Sequence, residues 1–224
     1  RIEAALGDGG IVVVRHRAED DAGGVLRLVE DLRGKSRAAL AQGVEADDVH
    51  FGELGYAREA RASYLDFVAA REKGELPQGI RFQVCLPTPF AVVSSVVVAD
   101  ALAPVEAAYE RAMTAEVAAI CRHIPHRDLC IQWDLCNEMI IWDGQKTDAA
   151  PHADEPRDKL LARMQRLCAR VPDEVELGLH LCYGDFAGRH FVEPQDAAKM
   201  VEFANALIQT IARKLAYIHM PVPV

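Results

Sequence analysis

Two residues with metal-binding side chains stand close together near the end of an apolar run. Residues 176–184 read Glu-Leu-Gly-Leu-His-Leu-Cys-Tyr-Gly, which places His180 and Cys182 two positions apart. In a β-strand, residues i and i+2 point to the same face, so the imidazole and the thiol would project side by side. Both groups are good zinc ligands, but a zinc site needs three or four. The spacing leaves two interpretations open: half of a zinc site, or a histidine and a cysteine that end a buried strand.

Three further polar residues follow apolar runs or lie in the next loop. Asp134 ends the run at 129–134, where a carboxylate can bind a substrate ammonium group, act as a base, or cap the next segment. His219 ends the run at 215–219 and is a candidate third ligand or proton shuttle, or else a polar rim residue. Arg189 follows the His180 strand and would present a cation to a substrate carboxylate, or lie in a solvated loop.

These side chains need elements that bring them to a common edge. Strand-like runs and helical patterns alternate along the chain, which predicts right-handed crossovers and a parallel sheet. The predicted strands are residues 11–14, 81–86, 129–133, 176–182 and 215–219, and the predicted helices are residues 23–42, 56–73, 104–124, 155–170 and 194–214. In parallel α/β folds, ligands bind where the strands end at their carboxyl side. Asp134, His180, Cys182 and His219 all fall there.

The absence of a nucleotide motif distinguishes between two parallel folds. No glycine-rich phosphate loop follows any predicted strand, which favours a (β/α)8 TIM-type barrel over a doubly wound dinucleotide-binding fold. A barrel needs eight strands, whereas the pattern gives five. We therefore expect residues 1–224 to form a single α/β barrel domain, with several of its strands outside this chain.

Composition narrows the classes of partner. The chain has 34 acidic and 25 basic residues, a net charge of -9, and no block of basic residues, which argues against nucleic acid. Its longest uncharged apolar run, residues 90–99, is shorter than the roughly 20 residues that a membrane span needs. The six cysteines form no Cys-x-x-Cys pair, which is typical of reduced thiols in the cytoplasm. We expect a small-molecule substrate, no nucleic acid and no membrane; the sequence leaves the oligomeric state open.

Three motifs together resemble cobalamin-independent methionine synthase, whose C-terminal barrel belongs to the superfamily that includes uroporphyrinogen decarboxylase. His-Leu-Cys-Tyr at 180–183 is similar to the His-x-Cys-Tyr strand end of that family. Cys-Ile-Gln-Trp-Asp at 130–134 resembles its Leu-Gln-x-Asp-Glu-Pro strand, and Leu-Pro-Thr-Pro at 86–89 resembles its Gly-Pro-x-Thr turn. The motifs occur in the order of the family.

The resemblance implies a zinc enzyme that activates a thiol substrate such as homocysteine and moves a methyl group from a folate. It implies that His180 and Cys182 bind zinc and that Asp134 binds the substrate amine. The sequence departs from the family at His219, which stands where a glutamate is expected, so the third ligand is His219 or is absent. Leu and Cys follow Asp134 in place of Glu and Pro, and the last cysteine ligand of the family would lie beyond Val224.

The resemblance and the residues leave three functions to compare. The first is a zinc-dependent methyltransferase-like enzyme that acts on a thiol. The second is a metal-free decarboxylase-like or lyase-like enzyme of the same superfamily, with Asp134, His180 and His219 in acid–base roles. The third is a binding protein that keeps the barrel without catalysis.

Overall fold

The computed structural model describes residues 26–30, 36–40, 42, 44–148, 150–185 and 189–221. The strands in these ranges are β1 (Leu26–Glu30), β2 (Ser36–Leu40), β3 (Phe82–Pro87), β4 (Leu129–Leu135), β5 (Glu176–Leu181) and β6 (Tyr217–His219). The α-helices are α1 (Tyr56–Glu72), α2 (Pro89–Ser94), α3 (Ala99–His123), α4 (Asn137–Trp142), α5 (Arg157–Cys168) and α6 (Ala198–Thr210). The predicted strand at 11–14 lies outside the described residues.

Strands β3 to β6 form a four-stranded sheet in which every neighbouring pair is parallel. Their order in the sheet follows their order in the chain, and helices connect each strand to the next. The prediction of a mixed α/β fold with a parallel sheet is therefore confirmed. None of the helices in the described ranges is long and apolar enough to cross a membrane.

The predicted helix over residues 23–42 is wrong, because β1 and β2 form an antiparallel pair within that range. The cause is a pairing of the β2 backbone with a segment far away in the sequence. The N–H of Ala38 donates to the carbonyl of Val96 at 2.7 Å, and the N–H of Val98 donates to the carbonyl of Ala38 at 2.9 Å. The backbone of β2 is thus paired with a distant segment, which overrides the weak helical spacing of its side chains.

Helix α1 begins without a capping side chain of its own. Its N-cap is Gly55, which has a left-handed φ of 96°. The buried carboxylate of Glu116, from α3, accepts hydrogen bonds from the N–H groups of Leu54, Gly55 and Ala57. A negative group at a helix N-terminus satisfies unpaired N–H groups and suits the helix dipole. Glu116 therefore supplies the cap from another helix.

The two faces of the sheet differ in chemistry. One face carries apolar side chains such as Leu86, Ile131 and Leu179, which are fully buried and pack into one core with residues of the helices. The opposite face carries mainly polar side chains and sulfurs, and four of these residues are exposed: Gln83, Cys85, Glu176 and His219. Among the described residues the helices thus cover one face, as crossovers of a single hand in a sequentially ordered sheet require.

Candidate active site

Three of the predicted site residues lie in a row at the carboxyl ends of the strands. In the pairing of neighbouring strands, Asp134 is opposite His180, and His180 is opposite His219. Residues opposite each other in parallel strands point to the same face, so the three side chains project together from the polar face. The rings of His180 and His219 stack, with 4.7 Å between centroids and 23° between planes. The structure therefore brings these three predicted residues together.

Cys182 extends this row beyond the end of β5. Its N–H donates to the carbonyl of Leu135 at 3.3 Å, so the pairing with β4 continues one step past the strand. The pKa of Cys182 is held well below its ordinary range, first by a hydrogen bond from the Cys136 thiol, against the opposing effect of burial. His180 and the N–H of Gly184 also favour the thiolate. Correspondingly, the pKa of Cys136 is raised by its hydrogen bond to Cys182 and by burial.

His180 is polarised by the sulfur beside it. Interaction with Cys182 raises the pKa of His180, burial opposes this, and the carboxylate of Asp134 adds to the rise. Its Nδ1 atom is buried and has no hydrogen-bond partner among the described residues. The unpartnered Nδ1 of His180 and the nearby Cys182 sulfur, whose pKa is lowered, are two kinds of donor that suit zinc.

Asp134 sits at the other end of the row in a half-buried position. The side-chain amide of Gln132 donates to its Oδ1 at 2.7 Å. Burial raises the pKa of Asp134, while the hydrogen bond from Gln132 opposes the rise. A carboxyl with a raised pKa at the carboxyl end of a sheet is suited to bind a cationic group or to exchange a proton.

A layer of amide and phenol groups lies below the row and fixes Gln132. The hydroxyl of Tyr217 lies 2.8 Å from Oε1 of Gln83 and 3.0 Å from Oε1 of Gln132. Its ring can lie across the sheet because the opposite residue is Gly178: a Cβ there would stand 2.2 Å from the ring. Because Gly178 has no side chain, the Tyr217 hydroxyl can reach Gln132, which in turn holds Asp134.

Substituting Gly178 with alanine is expected to displace the Tyr217 ring and lower the free energy of unfolding by about 1–3 kcal/mol. The matched control is Gly52→Ala, where a Cβ would meet no atom within 4 Å. Urea unfolding of both variants measures the difference. Equal stability of the two variants would contradict this account of Gly178.

Arg189 makes no hydrogen bond or ion pair with Asp134, His180 or Cys182 of this row, among the residues that the structure describes. It is exposed in the loop after β5. Its neighbour His190 instead approaches Glu193, with 3.0 Å between Nδ1 and Oε2.

Sequence reasoning missed two residues beside the row, Cys136 and Glu138. In the sequence Cys136 stands out only as a departure from a motif, yet the strand register places it opposite Cys182, whose pKa it lowers. Glu138 is fully buried, and burial raises its pKa to about 7 against the hydrogen bond from Thr88, whose hydroxyl donates to Oε1. The N–H of Thr88 donates to the carbonyl of Asp134 at 3.3 Å, so this carboxyl supports the turn beside the row. A signal was present, because Thr88 and Glu138 each lie within four residues of a strand end.

His180 and Cys182 are types of ligand that zinc binds well. Among the described residues, however, they are fewer than the three or four ligands that a zinc site needs. Within these described ranges, no group of three or more His, Cys, Asp or Glu side chains is arranged to hold a metal ion. His180 and Cys182 are an adjacent pair, and a complete site would need a further ligand. Comparison of the chain with protein-family models, with curated proteins and with solved structures gives no match.

Proposed function

We propose that the sheet is part of a (β/α)8 barrel of the methionine synthase type. In a doubly wound sheet helices cover both faces and the strand order reverses, whereas a barrel has sequential parallel strands and helices outside only. The sequential order of β3 to β6 and their one polar, partly exposed face support the barrel. The other strands would come from residues outside those that the structure describes.

On this barrel we propose a zinc-dependent methyltransferase-like enzyme that acts on a thiol substrate. The observation that carries the proposal is the proximity of two groups in a row with Asp134. They are Cys182, whose pKa is lowered, and the Nδ1 of His180, which has no hydrogen-bond partner among the described residues. His180 and Cys182 would hold the metal, with His219 as the proposed third ligand. Bound zinc would lower the pKa of a substrate thiol.

The residues around this pair would orient the substrate. Asp134, held by Gln132, would bind the substrate amine, and Arg189 would reach a substrate carboxylate from the loop after β5. A folate is the proposed methyl donor, in line with the resemblance to methionine synthase. Six free cysteines support a cytoplasmic location.

Zinc binding by the purified full-length protein tests this proposal. We expect about one zinc ion per chain, and we expect His180→Ala and Cys182→Ser each to weaken zinc affinity by at least about 100-fold, because a lost ligand costs more than a lost supporting contact. Cys85→Ser is the matched control, since Cys85 is an exposed thiol on a strand of the same sheet. Stoichiometric zinc that survives both site substitutions would refute the assignment.

A second candidate is a metal-free decarboxylase-like or lyase-like enzyme that uses Asp134, His180 and His219 for proton transfer. The raised pKa of Asp134 and the stacked histidine rings favour it, because both are suited to acid–base work. This candidate would be favoured over the zinc-dependent enzyme if turnover of a carboxylated substrate persists after chelation and is lost in Asp134→Asn. A protein that binds such ligands without turnover would be a non-catalytic barrel.

A further inference from the structure

We infer that Cys136 and Cys182 form a redox-active dithiol pair, which a hydroperoxide converts to an intramolecular disulfide and a thiol reductant restores. The inference concerns the sulfurs themselves and does not depend on the proposed methyl transfer.

The backbone places the two cysteines opposite each other. Leu135 pairs with Leu181 as the last residues of β4 and β5, and the N–H of Cys182 donates to the carbonyl of Leu135 at 3.3 Å. Cys136 and Cys182 are the next residue on each side. Neighbouring strands lie about 4.8 Å apart, which is within the Cα separations of about 4.4–6.8 Å that disulfides span. The influence of each thiol on the other, which lowers the pKa of Cys182 and raises that of Cys136, agrees with this closeness.

Their surroundings separate this pair from the other thiols. Both are partly exposed, whereas Cys130 and Cys168 are buried, so a small oxidant reaches the pair from the open side of the sheet. The competing thiols on the sheet are Cys85 and Cys130, but their partners across the strands are Gln132 and Gln83, so they stand diagonally. Cys136 also immediately precedes α4, at a strand end where the chain turns.

The disulfide would form in two nucleophilic displacements. The Cys182 sulfur attacks one oxygen of the hydroperoxide, the O–O bond breaks, and the leaving oxygen takes the thiol proton and departs as an alcohol or as water. Cys182 then carries a sulfenic acid. The Cys136 sulfur attacks that sulfur, the S–O bond breaks, and water departs with the Cys136 proton. Two thiols are oxidised by two electrons, and the hydroperoxide is reduced to an alcohol, or to water, together with one further water molecule.

Mapping the disulfide in the full-length, metal-free protein tests this inference. After brief treatment with hydrogen peroxide and alkylation, cleavage before aspartate releases residues 134–142, with Cys136, and residues 173–184, with Cys182, each as a peptide with one cysteine. We expect these two peptides linked as the main product, and separated again by dithiothreitol. Because the chelated protein contains no zinc, this result is independent of the zinc measurement.

Two variants sharpen the outcome. Cys136→Ser should abolish the link and increase dimedone labelling of Cys182 at least about 5-fold, because the sulfenic acid then has no resolving thiol. Cys130→Ser, which removes a neighbouring thiol outside the pair, should leave the link unchanged. A product dominated by Cys85 linked to Cys130, or sulfenic acid at Cys182 without a disulfide in the unaltered chain, would overturn the inference.

Discussion

Substitution of Arg163 with methionine is expected to lower the free energy of unfolding by about 3–5 kcal/mol, the cost typical of breaking a buried ion pair. Arg163, on α5, bonds to Glu106 of α3 at 2.8 Å between Nη2 and Oε2 and to Glu155 at 2.6 Å. The side chains of Arg163 and Glu106 are only 12 % and 8 % exposed. Methionine would keep most of the packing over the Phe90 ring while leaving Glu106 buried without its cation.

The same pair of helices provides a matched control. Arg166 pairs with Glu110 at 3.0 Å, but its side chain is 49 % exposed, so Arg166→Met should cost less than about 1 kcal/mol. Adding Glu106→Leu to Arg163→Met should recover part of the loss, because the more buried of the two carboxylates left without Arg163 is then gone. Urea unfolding at neutral pH measures all three. If Arg163→Met costs no more than Arg166→Met, the buried pair does not stabilise the packing of α5 on α3.

Glu138→Gln is expected to abolish a loss of stability that the unaltered protein undergoes as the pH rises from about 4.5 to about 7. Burial raises the pKa of Glu138 from the ordinary 4.5 to about 7. The folded protein therefore binds this proton more tightly than the unfolded chain, so its contribution is fully present below pH 4.5 and is lost as the pH passes 7. That difference in pKa corresponds to about 3 kcal/mol. Glutamine is neutral at every pH and removes the dependence.

Urea unfolding at intervals between pH 4 and pH 8 checks the prediction. The difference in stability between Glu138→Gln and the unaltered protein should grow in favour of the variant by about 3 kcal/mol over that range. Asp128, whose pKa is lowered to about 2 by the Arg71 guanidinium, and Asp134 titrate in both proteins and cancel in the comparison. A difference that stays constant with pH would show that the pKa of Glu138 is the same in the folded and the unfolded protein.

Most of the regular elements around the site could be predicted from local patterns. The strands that become β3 to β6 are apolar runs closed by turns, and α1, α5 and α6 follow helical spacing, so their positions agree with prediction to within a few residues. Helix α3 begins at Ala99, five residues before the predicted Pro104, because burial of Ala101, Leu102 and Val105 extends it toward its N-terminus. Local spacing fails where a distant partner provides the hydrogen bonds, as Val96 and Val98 do for Ala38 in β2.

In the candidate site, too, some features follow from local sequence and others from distant contacts. By itself the sequence determined that Asp134, His180, Cys182 and His219 lie at or near the carboxyl ends of strands, since each follows an apolar run that must be buried. Tertiary structure decided the rest. Strand register put Cys136 against Cys182, burial gave Glu138 a raised pKa, and the space above Gly178 admitted the Tyr217 ring. These features depend on contacts between residues far apart in the chain, and no local pattern of side chains encodes such distances.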